Sequence, residues 1–487
     1  MPDTVVMKFG GTSVADAERL KRAASRIVEK REKGKRVVAV LSARGSTTDE
    51  LTDMALEVSP HPDPREMDML LSTGERISCA LCAMAINDLG HRAISLTGSQ
   101  AGIVTDTSHT KARILDVRAD RIKRALEEEQ IVLVAGFQGV STAFDVTTLG
   151  RGGSDTTAVA VAAALGAEMC EIYTDVRGVF SADPRIVPDA RKLTAVSFEE
   201  MLEMAASGAR VLQLRAVEYA RNHDVRIHCR SSFEDGPGTV VLSEAETMEH
   251  PLITAVTHST EEARVTLLGV PDRPGIAGQI FGALSESNVL VDMIVQNEPA
   301  SEGARADISF TVPRADVGAA DGVLEPMRGD MFAEVRTDPE MGVVSIIGAG
   351  MKSHPGVAAK VFRTLGDESI NIEMISTSPI KISCVIRGEH VEHAVRALRS
   401  TGRPSRCERW SRAPTSPAST WRSSRPARAR RSSGRRASPR PARSSSTTRR
   451  PGGWTPRCRS SSPRSTPTRW PTIRRESSPT PTAQCWP

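Results

Sequence analysis

A lysine and two glycines near the start of the chain form the combination best suited to chemistry. Lys8, Gly10 and Gly11 follow the apolar run Val5–Met7 and precede a helical pattern, so the sequence predicts a strand, a glycine turn and a helix. Glycines let backbone N–H groups approach a ligand, a helix N-terminus favours negative charge, and the lysine adds a cation. This arrangement suits a phosphate chain, although a short Gly-Gly segment is also compatible with a simple tight turn.

A second glycine-rich segment, Gly150–Thr156, precedes another predicted helix, Thr157–Leu165. It follows the apolar run Ile131–Ala135 and a loop. Arg151 can form paired hydrogen bonds with a carboxylate or a phosphate. Asp155 can either cap the helix or organise a catalytic lysine, and the sequence leaves both roles open.

These elements belong to a chain whose composition indicates several domains. The chain has 487 residues, and 39% of them are hydrophobic. This length and composition favour about three domains, each with its own hydrophobic core. We find no apolar run of membrane-span length and no signal-peptide pattern, so we expect a cytoplasmic protein. Cys79 and Cys82 form a CxxC inside an apolar helical pattern without a zinc or redox context, and we interpret both as buried helix residues.

Residues 401–487 differ from the rest of the chain. They contain 21 Arg, 2 Glu and no Lys or Asp, a formal charge of +19 that leaves −14 for the preceding residues. They hold all five tryptophans but no Val, Leu, Met or Phe, so they cannot build a core. Nearly all have codons with G or C at the second base, which favours a frameshift near residue 400 and a disordered, out-of-frame tail. The alternative is an Arg/Ser-rich tail that binds nucleic acid.

The rest of the chain divides into two parts, the first of which is an α/β domain. Residues 1–245 alternate apolar strands with helical stretches, which indicates an open, largely parallel sheet flanked by helices. Ligands bind at the C-terminal ends of the strands in such folds, where both glycine segments fall. The predicted strands are Val37–Leu41, Arg92–Leu96, Ile131–Ala135, Glu171–Thr174 and Val225–Ile227.

The second part contains an internal repeat. Pro274–Ile294 aligns without gaps with Pro355–Ile375, at an offset of 81 residues. An apolar strand ending in Gly269 or Gly348 precedes each copy and further strands follow it, so the unit is strand, glycine turn, helix, strand, strand. The Gly-x-Gly that begins at Gly348 is therefore a turn of this repeat, and we do not interpret it as a dinucleotide-binding fingerprint.

These motifs together resemble the aspartokinases (aspartate kinases), in particular the single-function kind of actinobacteria. The resemblance extends over about residues 4–400. Besides the repeat, it is carried by Lys8–Val14, Ser42-Ala43, Thr47–Leu51, Thr73–Glu75, Gly136–Gly139, Gly150–Thr156, Thr174–Val176, Gly178-Val179 and Ala182–Arg185. It implies an amino-acid-kinase fold over residues 1–245, then ACT domains of βαββαβ type over 263–337 and 343–400, before the 401–487 tail.

The resemblance also implies a reaction. The γ-phosphoryl group of Mg-ATP would be transferred to the side-chain carboxylate of L-aspartate, giving 4-phospho-L-aspartate. This is the first step of lysine, threonine and methionine (diaminopimelate) biosynthesis. The Mg²⁺ ion would be held mainly by phosphates and water, without a protein metal site.

The resemblance assigns roles to both glycine segments. Lys8 and the N–H groups of Gly10 and Gly11 would hold the transferring phosphoryl group. Asp155 would orient Lys8, because a carboxylate nucleophile is already deprotonated at neutral pH and needs no general base. Arg151 would bind a substrate carboxylate. Glu75 would bind the ammonium, with Thr48, Gly152, Gly153 and Ser154 completing the pocket.

The nucleotide side would combine Lys8 and the first glycine segment with residues at later strand ends. They are Phe9, Gly10, Gly11, Ser42, Thr174, Asp175, Phe180, Ser181, Ala182, Asp183, Pro184 and Arg185. Two members of the site have simpler interpretations. Glu75 could complement a helix dipole in a first turn, and Asp183-Pro184 could form a plain turn.

For regulation, the resemblance implies lysine and threonine as effectors that bind between ACT units. The residues concerned are Asp272, Arg273, Pro274, Gly275, Ile276, Ala277, Leu290, Val291, Asp292, Gln296, Val357, Ala358, Asn371, Ile372, Ser378 and Pro379. Leu290 replaces a usual asparagine and Pro379 a usual acid. The family's last twenty or so residues, which the altered tail replaces, are expected to add a closing strand to the regulatory fold.

The resemblance implies an assembly as well, either a homodimer through ACT domains or an α2β2 complex with a subunit started at Met248. Nucleic acid and membrane are not expected partners. Two other functions remain open: another kinase of this fold, acting on glutamate, N-acetylglutamate or UMP, and an amino-acid sensor built on an inactive kinase. The ACT pair argues against the first, and the presence of Lys8, Arg151 and Asp155 argues against the second.

Overall fold

The structure, a computed structural model, describes residues 4–244, 252–297, 305–354 and 356–401. The tail beyond Thr401 lies outside these residues, as does Met248. The frameshift and the disorder of the tail therefore stay predictions.

An eight-stranded sheet forms the centre of the first half of the chain. Its strands, in chain order, are β1 (Thr4–Phe9), β2 (Arg36–Leu41), β3 (Ala93–Leu96), β6 (Ile131–Ala135), β9 (Met169–Thr174), β10 (Ala195–Ser197), β11 (Arg226–Ser231) and β12 (Thr239–Leu242). The spatial order is β10-β12-β11-β9-β1-β2-β6-β3. All neighbours pair in parallel except β11 and β12. The predicted parallel sheet is confirmed, and the C-terminal ends of β11, β9, β1, β2 and β6 share one edge.

Helices cover both faces of this sheet. They are α1 (Ala17–Glu32), α2 (Thr47–Val58), α3 (Pro64–Leu71), α4 (Thr73–Asp88), α5 (Asp120–Glu127), α6 (Gly153–Leu165), α7 (Phe198–Ala206) and α8 (Leu214–Asn222). Side chains alternate between faces along a strand. Met7 therefore packs in the core under α1 and α4, whereas Val6 packs in the core that contains α6. Helix α6 is buried over most of its surface, and beyond the polar residues Ser154–Thr157 at its start its sequence is apolar on every face.

Helix α4 buries both cysteines of the CxxC, as predicted. Cys79 and Cys82 are at most 1% exposed, and burial raises the pKa of Cys82 to about 12. The stretch Pro64–Asp88, which comprises α3 and α4, is long and apolar enough to meet a length-and-composition criterion for a membrane span, a feature the sequence analysis did not identify. Half of that window is buried in the fold, and core helices meet the same criterion, so this is weak evidence for a membrane.

A second, smaller sheet lies in the segment between β3 and α6. Its strands are β4 (Ile103–Thr105), β5 (Ile114–Val117), β7 (Gln138–Ser141) and β8 (Val146–Thr148), in the order β5-β4-β7-β8. The sequence pattern predicts only a loop between Ala135 and Gly150. That expectation is wrong, because β7 and β8 form an antiparallel hairpin there.

Two further four-stranded sheets form two units in the part of the chain where the resemblance implies regulatory domains. The first unit contains β14 (Glu262–Pro271), α9 (Ile276–Glu286), β15 (Ile294–Gln296), β16 (Arg305–Pro313), α10 (Val317–Leu324) and β17 (Glu334–Asp338). The second contains β13 (Ala255–Ser259), β18 (Met341–Ile347), α11 (Val357–Asp367), β19 (Met374–Ser378), β20 (Lys381–Arg387) and α12 (Val391–Thr401). Gly275 and Gly356 precede α9 and α11 with φ values of 90° and 96°, a left-handed conformation that favours glycine.

The second unit takes its closing strand from an unexpected part of the chain. In the first unit, β17 pairs with β14 and follows it in sequence. The equivalent position beside β18 is filled by β13, which precedes the entire first unit. The family's last residues, which are expected to add a closing strand, correspond to positions beyond Thr401 that lie outside the described residues, so that expectation stays a prediction. Within the described residues, the edge beside β18 is filled by an earlier segment. The first unit is thus inserted into the second.

Candidate active site

Lys8 and Asp155 form an ion pair at the centre of the parallel sheet. Lys8 lies near the end of β1, and Asp155 lies in the first turn of α6. The Lys8 Nζ to Asp155 Oδ1 distance is 2.5 Å, and the side chains are only 11% and 7% exposed. The N-terminal turn of a helix also favours a carboxylate. Asp155 can therefore hold the Lys8 ammonium in one place at the strand ends.

The two glycines after β1 have different surroundings. The N–H of Gly10 donates to the carbonyl of Tyr173 at 3.2 Å, so it is not free to hold a phosphoryl group as the sequence analysis expected. Gly11 lies against the next strand end, where an added Cβ would be 2.9 Å from the carbonyl oxygen of Ala43. Close backbone approach therefore requires glycine at position 11.

Phe9 and Ser42 lie at the ends of two neighbouring strands, β1 and β2. The Phe9 ring is fully buried and stacks on Tyr173, with ring centroids 4.8 Å apart. Its side chain therefore belongs to the core, and the nucleotide-contacting role expected of Phe9 can involve only its backbone. The N–H of Ser42 donates to the Phe9 carbonyl at 3.1 Å, which joins the ends of β1 and β2.

Glu75 is a buried carboxylate at the same edge. It lies in the first turn of α4, and its Oε1 accepts a hydrogen bond of 3.0 Å from the N–H of Ala43. Its Oε2 is buried without a hydrogen-bond partner among the described residues. Burial raises the pKa of Glu75 to about 7. A cationic ligand group would supply the partner and the charge that this carboxylate lacks.

Arg151 lies in the tight turn that leads into α6. Gly150 and Gly152 flank it with positive φ values of 75° and 73°. Arg151 is exposed, and within the described part of the chain its guanidinium forms no ion pair or hydrogen bond with another residue. Ser154, in the next turn, is buried. The turn therefore presents a free guanidinium beside a helix N-terminus, which suits a carboxylate ligand.

Asp68, which the sequence analysis did not identify, supports this turn from α3. It is completely buried and accepts hydrogen bonds from Thr148 Oγ1 at 2.5 Å, from the N–H of Thr110 at 3.1 Å, and from His109 Nδ1 at 2.7 Å. Thr148 lies two residues before Gly150. A charged residue within the apolar stretch Met67–Leu71 is the one sequence signal that could have identified it.

Arg215 supports the same region from α8. Its guanidinium donates to the carbonyl of Leu149 at 2.7 Å and to that of Ala112 at 2.9 Å. A side chain of α8 thus holds the Leu149 carbonyl, which immediately precedes the Arg151 turn. No motif marked Arg215, because its partners are backbone atoms distant in sequence.

The segments expected to bind the nucleotide follow β9. Thr174 ends that strand and Asp175 follows it, and Thr174 Oγ1 donates to Asp175 Oδ1 at 3.0 Å. Asp183 pairs with Arg185 at 2.7 Å, and the hydrogen bonds from Arg185 lower the pKa of Asp183. Ala182 is buried in the hydrophobic core of the second regulatory unit, so its side chain does not face the cleft.

Thr48 and the remaining nucleotide residues are partly accessible. Thr48, at the start of α2, is half-buried, as are Phe180 and Ser181, whereas Pro184 and Arg185 are exposed. The structure thus gathers Lys8, Asp155 and Glu75 at adjoining strand ends and helix starts, with the β9 end next to β1.

The residues expected to bind effectors are not gathered in one place within a single unit. In the first sheet, Pro271 pairs with Arg305 at one end of β14, whereas Ile294 pairs with Phe310 towards the other. Asp272–Ala277 therefore lie near one end of this sheet and Leu290–Asp292 near the opposite end. In the second unit, Asn371 Nδ2 donates to Glu373 at 3.1 Å, and Pro379 lies in the turn between β19 and β20.

Family comparisons agree with this architecture. The amino acid kinase family model matches residues 3–231, and an ACT-domain model matches residues 265–325 and 344–401. An aspartokinase of Mycolicibacterium smegmatis is 56% identical over 398 residues, 81% of this chain and 94% of that protein. One from Corynebacterium efficiens is 52% identical over 399 residues, with the same coverage of both chains.

Solved structures of aspartokinases are also similar to this chain. Escherichia coli aspartokinase III in complex with aspartate and ADP has a TM-score of 0.71 and 26% identity, and the match covers 82% of this chain and 99% of that one. The same enzyme in complex with lysine and aspartate has a TM-score of 0.64, also at 26% identity, with the same coverage of both chains.

Proposed function

This chain belongs to the amino acid kinase family and, within it, to the aspartokinases with two ACT domains; from that premise we propose how its own residues phosphorylate aspartate. The observation that carries the proposal is the buried Lys8–Asp155 pair at the strand ends, beside the glycine turn and the N-terminus of α6. We propose that the γ-phosphoryl group of ATP is transferred there to the side-chain carboxylate of L-aspartate, giving 4-phospho-L-aspartate.

Two charged residues orient the amino-acid substrate in this proposal. Arg151, exposed and without a charged partner in the described part of the chain, binds a carboxylate of aspartate. Glu75, whose Oε2 has no described partner, binds the ammonium group. Thr48, Gly152, Gly153 and Ser154 complete the pocket. Together they fix the nucleophilic carboxylate in line with the phosphoryl group, and positioning of this kind accounts for much of phosphoryl-transfer catalysis.

Lys8 and the backbone around Gly11 stabilise the charge that develops on the phosphoryl oxygens. Asp155 holds the Lys8 ammonium at 2.5 Å, so little reorganisation is needed during the reaction. A carboxylate nucleophile carries no proton at neutral pH. The chain therefore needs no general base, and Asp155 acts through Lys8.

The nucleotide side consists of the Thr174-Asp175 strand end and the residues Phe180–Arg185. Bound Mg²⁺ would neutralise phosphate charge. No group of three or more His, Cys, Asp or Glu side chains in the described part of the chain could hold a metal ion. We propose that the phosphates and water molecules hold this ion.

Regulation, assembly and location form a separate part of the proposal. We propose that lysine and threonine inhibit the enzyme through the ACT units, that the protein acts in the cytoplasm at the first step of lysine, threonine and methionine biosynthesis, and that it forms a homodimer through ACT domains or an α2β2 complex. The separation of Asp272–Ala277 from Leu290–Asp292 within one unit supports an effector site completed by another unit.

The testing experiment measures ADP release with Mg-ATP and L-aspartate, with and without lysine plus threonine, on the full chain and on a chain truncated after Ser400. Aspartate-dependent turnover that both amino acids suppress would support the kinase and its feedback. Turnover with glutamate, N-acetylglutamate or UMP and none with aspartate would contradict the proposed substrate. Absence of turnover in both chains would point to a kinase disabled by its altered C-terminal end or to the sensor.

A further inference from the structure

The loop between β9 and β10 lies against the second regulatory unit. Its buried residues Ala182, Ile186 and Val187 share one hydrophobic core with that unit, in which α12 contributes Val391, Ala394, Val395 and Leu398. The carbonyl of Ser181 also accepts a hydrogen bond of 2.9 Å from the N–H of Val256 on β13. The loop that carries Asp183 and Arg185 therefore rests on α12 and β13.

Two arginines of α12 hold the far side of this loop. Arg396 Nε donates to the carbonyl of Ile186 at 3.2 Å. One terminal nitrogen of Arg399 lies 2.6 Å from Asp189 Oδ1, and the other donates to the Asp189 carbonyl. The Arg399 side chain is only 15% exposed. A charged donor on a backbone carbonyl fixes the main chain, and it does so whatever side chain the loop carries there.

The loop is stiff between these anchors and its tip. The N–H groups of Ile186 and Val187 both donate to the Asp183 carbonyl, at 3.1 and 2.8 Å. Two hydrogen bonds cross the base of the loop. The N–H of Ser181 donates to the Arg191 carbonyl at 2.8 Å, and the N–H of Arg191 donates to Ser181 Oγ at 3.0 Å. A displacement at Ile186 or Asp189 is therefore passed to Asp183 and Arg185, and the intervening chain does not absorb it.

We propose that Arg396 and Arg399 are positioning residues for nucleotide binding, so that α12 of the second regulatory unit sets the affinity for ATP and leaves the affinity for aspartate unaffected. This inference rests on the proposed nucleotide role of Phe180–Arg185. The aspartate side depends on other supports, Asp68 on α3 and Arg215 on α8. The two substrates can therefore respond differently to a change in α12.

The test compares the full-length protein with its Arg399→Ala, Arg399→Lys and Arg396→Ala/Arg399→Ala variants. ADP affinity is measured by calorimetry, and KM for ATP and for aspartate by ADP release. Arg363→Ala is the matched control, because Arg363 is an exposed arginine on α11 of the same unit. We expect the double variant to bind ADP at least about fivefold more weakly, since it loses hydrogen bonds from charged donors, with KM for aspartate unchanged. Arg399→Lys should recover part of the loss.

The outcomes separate this inference from the proposed function. A wild type that does not bind ADP would overturn both. Wild type and double variant with equal ADP affinity would overturn the positioning role alone. A parallel rise in KM for both substrates, accompanied by a lower unfolding temperature, would also overturn it, because general loosening of the fold would explain the result. Asp189→Ala should weaken ADP binding less than Arg399→Ala, because the Asp189 carbonyl remains to accept from Arg399.

Discussion

Lys8 Nζ and Asp155 Oδ1 are 2.5 Å apart, and both side chains are largely buried. The two residues lie on β1 and α6, elements that are far apart in the sequence of the kinase domain. Removing one member of such a pair leaves an uncompensated buried charge, whereas replacing both by neutral groups of similar size does not. This relationship allows the catalytic role of Lys8 to be separated from its structural role.

We therefore expect Lys8→Met to lower kcat by at least about a hundredfold, because it removes a preorganised cation from the phosphoryl oxygens. It should also lower the free energy of unfolding by about 3 kcal/mol, because Asp155 remains buried without its partner. The control is Lys8→Met combined with Asp155→Asn, which should recover much of the stability and none of the activity. Residual activity above about a tenth of wild type would remove Lys8 from the mechanism.

The pKa of Glu75 predicts a pH dependence for aspartate binding. Burial raises it from 4.5 to about 7, so the carboxylate is fully ionised only above that pH. Binding of the substrate ammonium should strengthen as pH rises through about 7, which would appear as a falling KM for aspartate. Glu75→Gln should show a high KM without this transition. A wild-type KM that is flat between pH 6 and pH 8 would contradict the role given to Glu75.

The same pKa predicts how stability changes with pH. The folded state holds the Glu75 proton more tightly than the unfolded chain, so the contribution of this group is present below pH 4.5 and is lost as pH rises to about 7. Glu75→Gln should remove that loss. The free energy of unfolding of both proteins is measured by chemical denaturation at pH 5.5 and at pH 8. If it falls by the same amount in wild type and Glu75→Gln, other groups cause the pH dependence.

The two glycines of the first turn should respond differently to alanine. In Gly11→Ala the new Cβ would lie 2.9 Å from the Ala43 carbonyl oxygen and 3.3 Å from that of Gly45, so we expect a loss of about 1–3 kcal/mol in unfolding free energy. In Gly10→Ala the nearest atom is Lys8 Nζ at 3.6 Å, and φ is −70°. Gly10→Ala should therefore fold like wild type, and any rise in its KM for ATP would report crowding of the phosphate. Equal stability of the two variants would contradict this difference.

Asp68→Asn should weaken aspartate binding more than nucleotide binding. Its carboxylate accepts from Thr148, Thr110 and His109, next to the Arg151 turn, and an amide cannot accept from all three in the same way. We expect KM for aspartate to rise several-fold, with KM for ATP nearly unchanged. Steady-state kinetics with each substrate varied in turn gives the answer. Asp63→Asn at the exposed start of α3 provides the control, because the Asp63 side chain accepts from the N–H groups of Arg65 and Glu66 in its own helix turn.

Much of the kinase fold could be predicted from local pattern. The run Ile131–Ala135 is apolar throughout because both faces of a central parallel strand are covered, and it forms β6 with those bounds. Strands β7 and β8 could not be identified in the same way. Gln138, Ser141, Thr147 and Thr148 are buried in this small sheet through hydrogen bonds, so the hydrophobic alternation that marks a half-buried strand is missing.

Site residues that belong to a sequence motif could be predicted. Residues that support the site through backbone atoms could not. The glycine turns and the start of α6 indicated Lys8 and Asp155 before any geometry was known. Arg215 contacts main-chain carbonyls far away in sequence, and a main-chain partner leaves no trace in residue type. Phe9 shows the opposite case: it lies inside a motif, yet its ring packs in the core because the motif uses its backbone.

The strand β13 has a consequence for the order in which the chain assembles during synthesis. The first regulatory unit, whose strands are all contiguous, can fold as soon as β17 has left the ribosome. β13 emerges earlier but has no partner strand until β18 follows, so the second sheet closes only after the whole first unit has been made between these two strands. Contacts of such long sequence separation form slowly. We therefore expect refolding in two phases, with closure of the second sheet, and the nucleotide loop that rests on it, completed last.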